Sequence, residues 1–373
     1  MKVAVLPRDA NPYQELLHAE LRLQGVEVSY LDGPTGSQTL NLLVRPVHLV
    51  WRRLRGTRVL HIHWVYDFVP TWARSSVWGR RLAQAWFSGC LWVAHQTRLR
   101  VVWTAHNVLP HEQIFANDLA ARKTLARRAS VVLVHSHATA EAVRGLGADR
   151  VAVAPQGSYA DRYHDLPSRE EARVRFGLPA DSLVVAHLGA LRPYKGTHRL
   201  LAQAASRPDG LSYLLAGACP DPAYRAQLEE LAQACGPQVR LVLGWMSESD
   251  LANCLAASNL AVFPFTAVAN SSSVLLALGA GLPVVVPDIP EFAHLPHGAT
   301  IRFANTDAGL AEVLDQVEHL GSDQLEEMAV CAVRFAGTQT WPIVASTARA
   351  AYEAAVCDAR AHSPSIPIVE AVP

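Results

Sequence analysis

The sequence predicts an α/β protein built on two doubly wound parallel sheets, and three observations carry that prediction. Short apolar runs recur from one end of the chain to the other. They are continuous rather than alternating, as strands buried on both faces are. Longer amphipathic segments separate them, as the crossovers between parallel strands require. At 373 residues, half of them apolar and 18% charged, the chain can fill two domains or one large one.

In the first half KVAVLP, VEVSYL, VLHIHW, RVVWTAHN, SVVLVHS and RVAVAP read as strands. LVVAHLGA, LSYLLAGA, VRLVLG, LAVFPF and PVVVPD read as strands of the second. The spacers carry helical patterns, among them PYQELLHAELRLQG, ARKTLARRA and SDLANCLAAS. Between about 155 and 183 the segment YADRYHDLPSREEARVRFGLPADS is polar, charged and proline-bearing, and a new strand follows it. The expected domains are therefore 1–160 and 161–342, with 343–373 as a closing helix and tail. An amphipathic helix is expected over 343–360, after Trp341-Pro342, packing back toward the N-terminal domain. The tail HSPSIPIVEAVP carries three prolines and no periodicity, which predicts an extended or mobile end.

Net charge is zero, but the two halves differ. Residues 1–150 hold 19 Lys and Arg against 10 Asp and Glu, and residues 151–373 hold 14 against 23. Halves of opposite sign suggest domains facing different partners. The start MKVAVLPRD reads as a strand without a signal-peptide core, and no apolar stretch approaches the roughly 18 residues of a membrane helix. Six scattered cysteines without a C-x-x-C pair suit a reducing compartment better than disulfides or a zinc site. A cytoplasmic protein is expected.

The octet GALRPYKG at 189–196 is the densest chemical signal. Gly189 ends a strand, and Arg192 and Lys195 follow at what reads as a helix start, a place suited to phosphate oxygens. The chain has only three lysines, Lys2, Lys123 and Lys195, so one in this loop is informative. The plainer alternative is a solvated turn with two surface charges. Ser271, Ser272 and Ser273 precede a helix expected near Val274; they could take further phosphate or sugar oxygens, or simply cap the helix. His63, His106, Ser136, Gly189, Gly217 and Ser271 all fall just past expected strand ends, where open parallel sheets bind ligands. Since they come from both halves, a cleft between the domains would gather them. His61 and His63 point the same way from one strand, but no third metal ligand is evident and there is no Asp-x-Asp. No metal is expected, the cations serving in its place. NPY stands where a dinucleotide-binding G-x-G-x-x-G would follow the first strand, which argues against a nicotinamide dehydrogenase.

Residues 45–100 carry ten arginines and one acid, Asp67, interleaved with Trp51, Trp64, Trp72, Trp78, Trp86 and Trp92. That mixture suits an anionic membrane surface or a lipid-linked acceptor. It equally suits tryptophans in a core under solvated arginines. No nucleic-acid motif accompanies it.

Taken in order, HIHWVYD (61–67), TAHNVLPHE (104–112), VHS (134–136), APQG (154–157), RPYKG (192–196), LLAG (214–217) and NSSSVLLALGAGLPVVVPD (270–288) resemble the GT-B glycosyltransferases, and within them glycosyltransferase family 4. The likeness spans nearly the whole chain. It implies two Rossmann-like domains with a cleft between them, the first binding the acceptor and the second the nucleotide sugar. It implies retaining transfer to an acceptor hydroxyl, with a nucleotide-diphosphate sugar as substrate and no separate cofactor. His106, Arg192 and Lys195 fall in catalytic positions; Gly157, Gly189, Gly217, Ser271, Ser272 and Ser273 in donor positions; His63, Trp64 and Asn107 on the acceptor side. The acceptor expected is a lipid-linked glycan or a small-molecule natural product, with peripheral contact at an anionic inner membrane face and no nucleic acid. One departure stands out. Many relatives carry two glutamates eight positions apart, where this chain has Val268 and Leu276. A catalytically silent sugar-nucleotide-binding subunit is the alternative this loss favours. A non-hydrolysing sugar-nucleotide epimerase shares the shape but would need cleft carboxylates, and no clear pair is present.

Overall fold

The computed structural model describes residues 1–9, 12–33, 35–110, 112–163, 165–208 and 210–357. The tail HSPSIPIVEAVP lies outside the described residues. The chain divides into two units, one of residues 1–157 continued by the segment from 340, the other of residues 158–339.

The first unit carries strands β1 (Lys2–Leu6), β2 (Glu27–Tyr30), β3 (Thr57–Ile62), β4 (Arg100–Thr104), β5 (Val131–Val134) and β6 (Val151–Val153). They form one parallel sheet in the order β2-β1-β3-β4-β5-β6. Its helices are α1 (Pro12–Leu23), α2 (Gln38–Leu43), α3 (Arg45–Leu54), α4 (Thr71–Arg74), α5 (Val77–Gln96), α6 (Asp118–Arg128) and α7 (His137–Gly145). Local chemistry sets several starts: Ser76, Asn117 and Ser136 accept a backbone N–H at the head of α5, α6 and α7. Leu60, Ile62 and Trp103 of the sheet share one apolar cluster with Leu49 of α3 and Phe87 of α5. Both helices therefore cover the same face, as right-handed crossovers running in one direction must.

The second unit repeats the plan. Strands β7 (Val184–Leu188), β8 (Ser212–Gly217), β9 (Val239–Leu243), β10 (Leu260–Val262), β11 (Val284–Pro287) and β12 (Thr300–Phe303) pair in parallel in the order β12-β11-β10-β7-β8-β9. The helices are α8 (Arg169–Phe176), α9 (Thr197–Ala205), α10 (Pro222–Cys235), α11 (Glu248–Ala257), α12 (Ser272–Gly279), α13 (Asp307–Glu318) and α14 (Ser322–Thr338). Strand β12 was not among the expected strands; TIRF is a half-buried edge strand broken by Arg302, so it lacks the continuous apolar run.

A last helix, α15 (Trp341–Val356), returns to the first unit and packs on α1, β3, β4 and β5. It starts at Trp341, before the expected 343, and Pro342 sits in its first turn, where the missing N–H costs nothing. The strand order reverses beside β1 and β3 in the first unit and beside β7 and β10 in the second. Such reversals open a crevice beyond the strands' carboxyl ends. No described helix is long and apolar enough to cross a membrane.

Candidate functional site

At the reversal of the second unit, four expected residues converge. Gly189 follows β7 with φ +114°, and a methyl group there would collide with Ser273 Oγ and lie 3.4 Å from Lys195 Nζ. Gly217 ends β8 with φ +153°, and its methyl would collide with the Gly189 carbonyl. Both positions demand glycine twice over, for backbone conformation and for space. Arg192 and Lys195 do not begin an α-helix as expected. They bracket a 3-10 turn, Pro193–Lys195, closed by left-handed Gly196, and α9 starts only at Thr197. The turn is pinned by the Thr266 N–H, which donates to the Tyr194 carbonyl at 2.9 Å. Lys195 Nζ lies 5.6 Å from the centre of the Phe265 ring. Burial, and then Arg192, lowers the Lys195 pKa to about 8.

Ser271 is separated from β10 by residues 263–270, so it does not directly follow a strand end as expected. Its Oγ accepts the Val274 N–H as the cap of α12. The amides of Ser272 and Ser273 fall in the first turn, where backbone donors lack helical partners. Ser272 is exposed and Ser273 buried. Val268 and Leu276 are partly buried against the apolar cluster of this unit.

The first unit gathers a different chemistry beyond β3 and β4. His63 Nδ1 and His106 Nε2 are hydrogen-bonded at 3.1 Å. His61 bonds Thr104 Oγ1 through Nε2 and the Tyr352 hydroxyl of α15 through Nδ1, both at 2.7 Å. Trp64 stacks on His106 at 4.6 Å, and Tyr13 meets the same ring edge-on at 4.8 Å. Burial first, then neighbouring histidines, depresses all three imidazoles: His61 to about 3, His63 and His106 well below 6.5. At neutral pH they are uncharged hydrogen-bonding groups. His63 is buried, while Trp64 and Asn107 are half-exposed. Gly157, φ +90°, lies against the Trp341 ring, whose edge leaves no room for a Cβ. Among the described residues no three His, Cys, Asp or Glu side chains are grouped to hold a metal ion.

Tyr13, Tyr352 and Phe265 were not foreseen. Tyr13 belongs to the NPY that replaces a glycine-rich turn, and that was its one sequence signal.

The family model for glycosyl transferases group 1 matches residues 168–329. A GDP-mannose:glycolipid 4-beta-D-mannosyltransferase of Xanthomonas campestris pv. campestris is 30% identical over 61% of this chain and 61% of its own length. The curated relatives that come first are matched over about three fifths of their length. Among solved structures, a sucrose-phosphate synthase from Thermosynechococcus elongatus superposes with a TM-score of 0.74 at 17% identity, covering 95% of this chain and 98% of that one. Anabaena HepE in complex with UDP-glucose gives 0.68 at 18% identity, covering 93% and 97%. The chain has the GT-B fold. The match to the glycosyl transferases group 1 model falls inside its second unit.

Proposed function

We propose that this chain is a retaining glycosyltransferase that moves a sugar from a nucleotide diphosphate to an acceptor hydroxyl. The observation that carries the reading is the crowding of Gly189, Gly217, Lys195 and Ser273 at the strand reversal inside the matched domain. Two glycines without room for a side chain, a half-buried ammonium and a helix start together suit the oxygens of a diphosphate. Arg192 and Lys195 neutralise the leaving diphosphate as the sugar–oxygen bond breaks. The acceptor hydroxyl attacks on the same face, its proton passing to a departing phosphate oxygen. No protein nucleophile is required, and no metal is assigned, the two cations stabilising the charge that develops.

His106 hydrogen-bonds the transferred sugar as a neutral imidazole, held by His63 and stacked on Trp64. Trp64 and Asn107 serve the acceptor. That acceptor is a lipid-linked glycan or a small-molecule natural product, the former reached by peripheral contact with an anionic membrane from the cytoplasmic side. The mannosyltransferase relative is named for a glycolipid and the HepE structure holds UDP-glucose, which supports a lipid acceptor and a nucleotide-sugar donor.

A second reading has its own observation. Val268 and Leu276 stand where many relatives carry glutamates and rest against the core, which favours a silent sugar-nucleotide-binding subunit. Thermal shift with UDP-, GDP- and dTDP-sugars tests donor binding, since ligand at about 100 times its Kd adds about 2.7 kcal/mol. Sugar-nucleotide turnover by the purified chain supports the transferase; binding without turnover supports the silent subunit; stabilisation by none refutes both.

A further inference from the structure

Helix α3 is inside out. Its apolar residues Val47, Val50, Trp51 and Leu54 fall at i, i+3, i+4 and i+7, one continuous stripe, and every one is exposed, Leu54 by 82%. The core side holds Leu49 and Arg45 instead. Arg45 is bonded to Asp67 at 2.7 Å, and Arg52 is bonded back to the Tyr30 carbonyl and Ser29 Oγ. A surface helix normally shows the reverse arrangement.

The neighbouring helix repeats the pattern. On α5, Trp78, Leu82 and Trp92 stand in one exposed stripe, with Trp78 70% exposed, while Phe87, Cys90 and Leu91 face the core. The two helices are in contact and cover the same face of the sheet, so their outer stripes face the same way. Two indole N–H donors tie the flanks together: Trp86 to the Leu42 carbonyl at 2.9 Å, and Trp72 to Thr39 Oγ1 at 3.1 Å.

Within residues 45–100 the charge is almost all of one sign. Asp67, the single acid of residues 45–100, is consumed by Arg45. Arg55 lies over the Trp51 ring at 4.8 Å and Arg81 over the Trp78 ring at 4.9 Å, one such pair on each helix. Neither guanidinium has a carboxylate partner among the described residues. An exposed indole with a cation laid along it suits the boundary between lipid headgroups and acyl chains: the ring enters the apolar side and the guanidinium meets phosphate.

We propose that the outer surface of α2 to α5 seats the first unit on an anionic lipid bilayer. The occupant is a membrane rather than a protein because the segment that supplies both stripes carries ten arginines against one acid, already paired, an excess of cations complementary to an anionic plane. The proposal deepens the acceptor side of the transferase reading and rests on it only for the lipid anchor of the acceptor.

The test is co-sedimentation of the full chain with vesicles of phosphatidylcholine alone or enriched in phosphatidylglycerol, at low and at raised salt. Binding is expected to the anionic vesicles, weakening as salt shortens the screening length, which is about 8 Å at physiological strength. Trp78→Ser with Leu82→Ser should cut partition by about tenfold or more, and so should Arg55→Glu with Arg81→Glu, at unchanged melting temperature. Indifference to anionic vesicles at low salt would overturn the proposal, as would equal binding by wild type and both variants, or a dimer in which these residues become protected. Donor-induced thermal shift, measured alongside, reports on the transferase reading separately.

Discussion

Replacing Lys195 by methionine removes one charge while keeping the length of the stem. In the free protein its ammonium is already disfavoured, burial and then Arg192 bringing the pKa to about 8. A bound diphosphate favours the charged form and raises that pKa. Donor affinity should therefore be flat below about pH 8. Above it, affinity should fall by up to tenfold per pH unit, because binding must first recapture a proton. Loss of a hydrogen bond to a charged group costs about 1.5–3 kcal/mol, so Lys195→Met should weaken nucleoside diphosphate binding about 10- to 150-fold at neutral pH. The variant should also lose the alkaline fall. Calorimetric titration with UDP and GDP between about pH 7 and 10 reads both effects. Unchanged affinity at neutral pH would show that the diphosphate binds elsewhere; an alkaline fall that persists in the variant would assign it to another group.

Arg192→Ala should lower transfer at least about tenfold with the fold intact, measured as turnover at saturating donor. Activity should survive EDTA; loss on chelation, restored by magnesium or manganese, would refute the proposed metal-free mechanism. Gly217→Ala should lower stability by about 1–3 kcal/mol and abolish donor-induced thermal shift, because the new methyl meets the Gly189 carbonyl at a φ of +153°. An unaltered melting temperature would contradict that close approach. Acid should unfold the first unit early. Burial holds His18 at about 4, His61 at about 3, and His63 and His106 well below 6.5, so the unfolded chain takes up protons that the folded one refuses. Stability is then complete above about pH 6.5 and declines as pH falls toward 4, by about 1.4 kcal/mol per pH unit for each histidine involved. A melting temperature flat over that range would show these rings to be accessible.

Buried strands announce themselves as apolar runs, which is why eleven of the strands and their division between two sheets could be read in advance, and β12, whose run is broken by Arg302, could not. The donor-side residues were legible for a related reason: glycines at strand ends and a rare lysine are local signals. Lys195 nevertheless stands in a 3-10 turn, because left-handed Gly196 and the bond from Thr266 interrupt the helix before α9. The histidine cluster was only half visible. His61 and its partner Tyr352 are separated by 291 positions, and no local pattern announces a pairing made through the last helix. The stripe on α3 misleads outright. Val47, Val50, Trp51 and Leu54 have the spacing of a core face, and only the tertiary placement of Leu49 and Arg45 shows that the stripe points outward.

The return of α15 gives the two units different histories during synthesis. Residues 158–339 are contiguous, so that unit has all its strands and helices once its own stretch has emerged. The first unit begins earlier and finishes last. Until Trp341–Val356 emerges, the flank of β3 to β5 and of α1 lacks its cover, and the His61 ring lacks the Tyr352 hydroxyl. A chain stopped after Gln339 should yield one native unit joined to an unfinished one that exposes buried histidines and apolar sheet. Expressing 158–339 alone is then the sound dissection, whereas 1–157 alone is not. Fusing the 340–357 segment ahead of Met1 through a flexible linker is the rearrangement that would let the first unit form without waiting for the second.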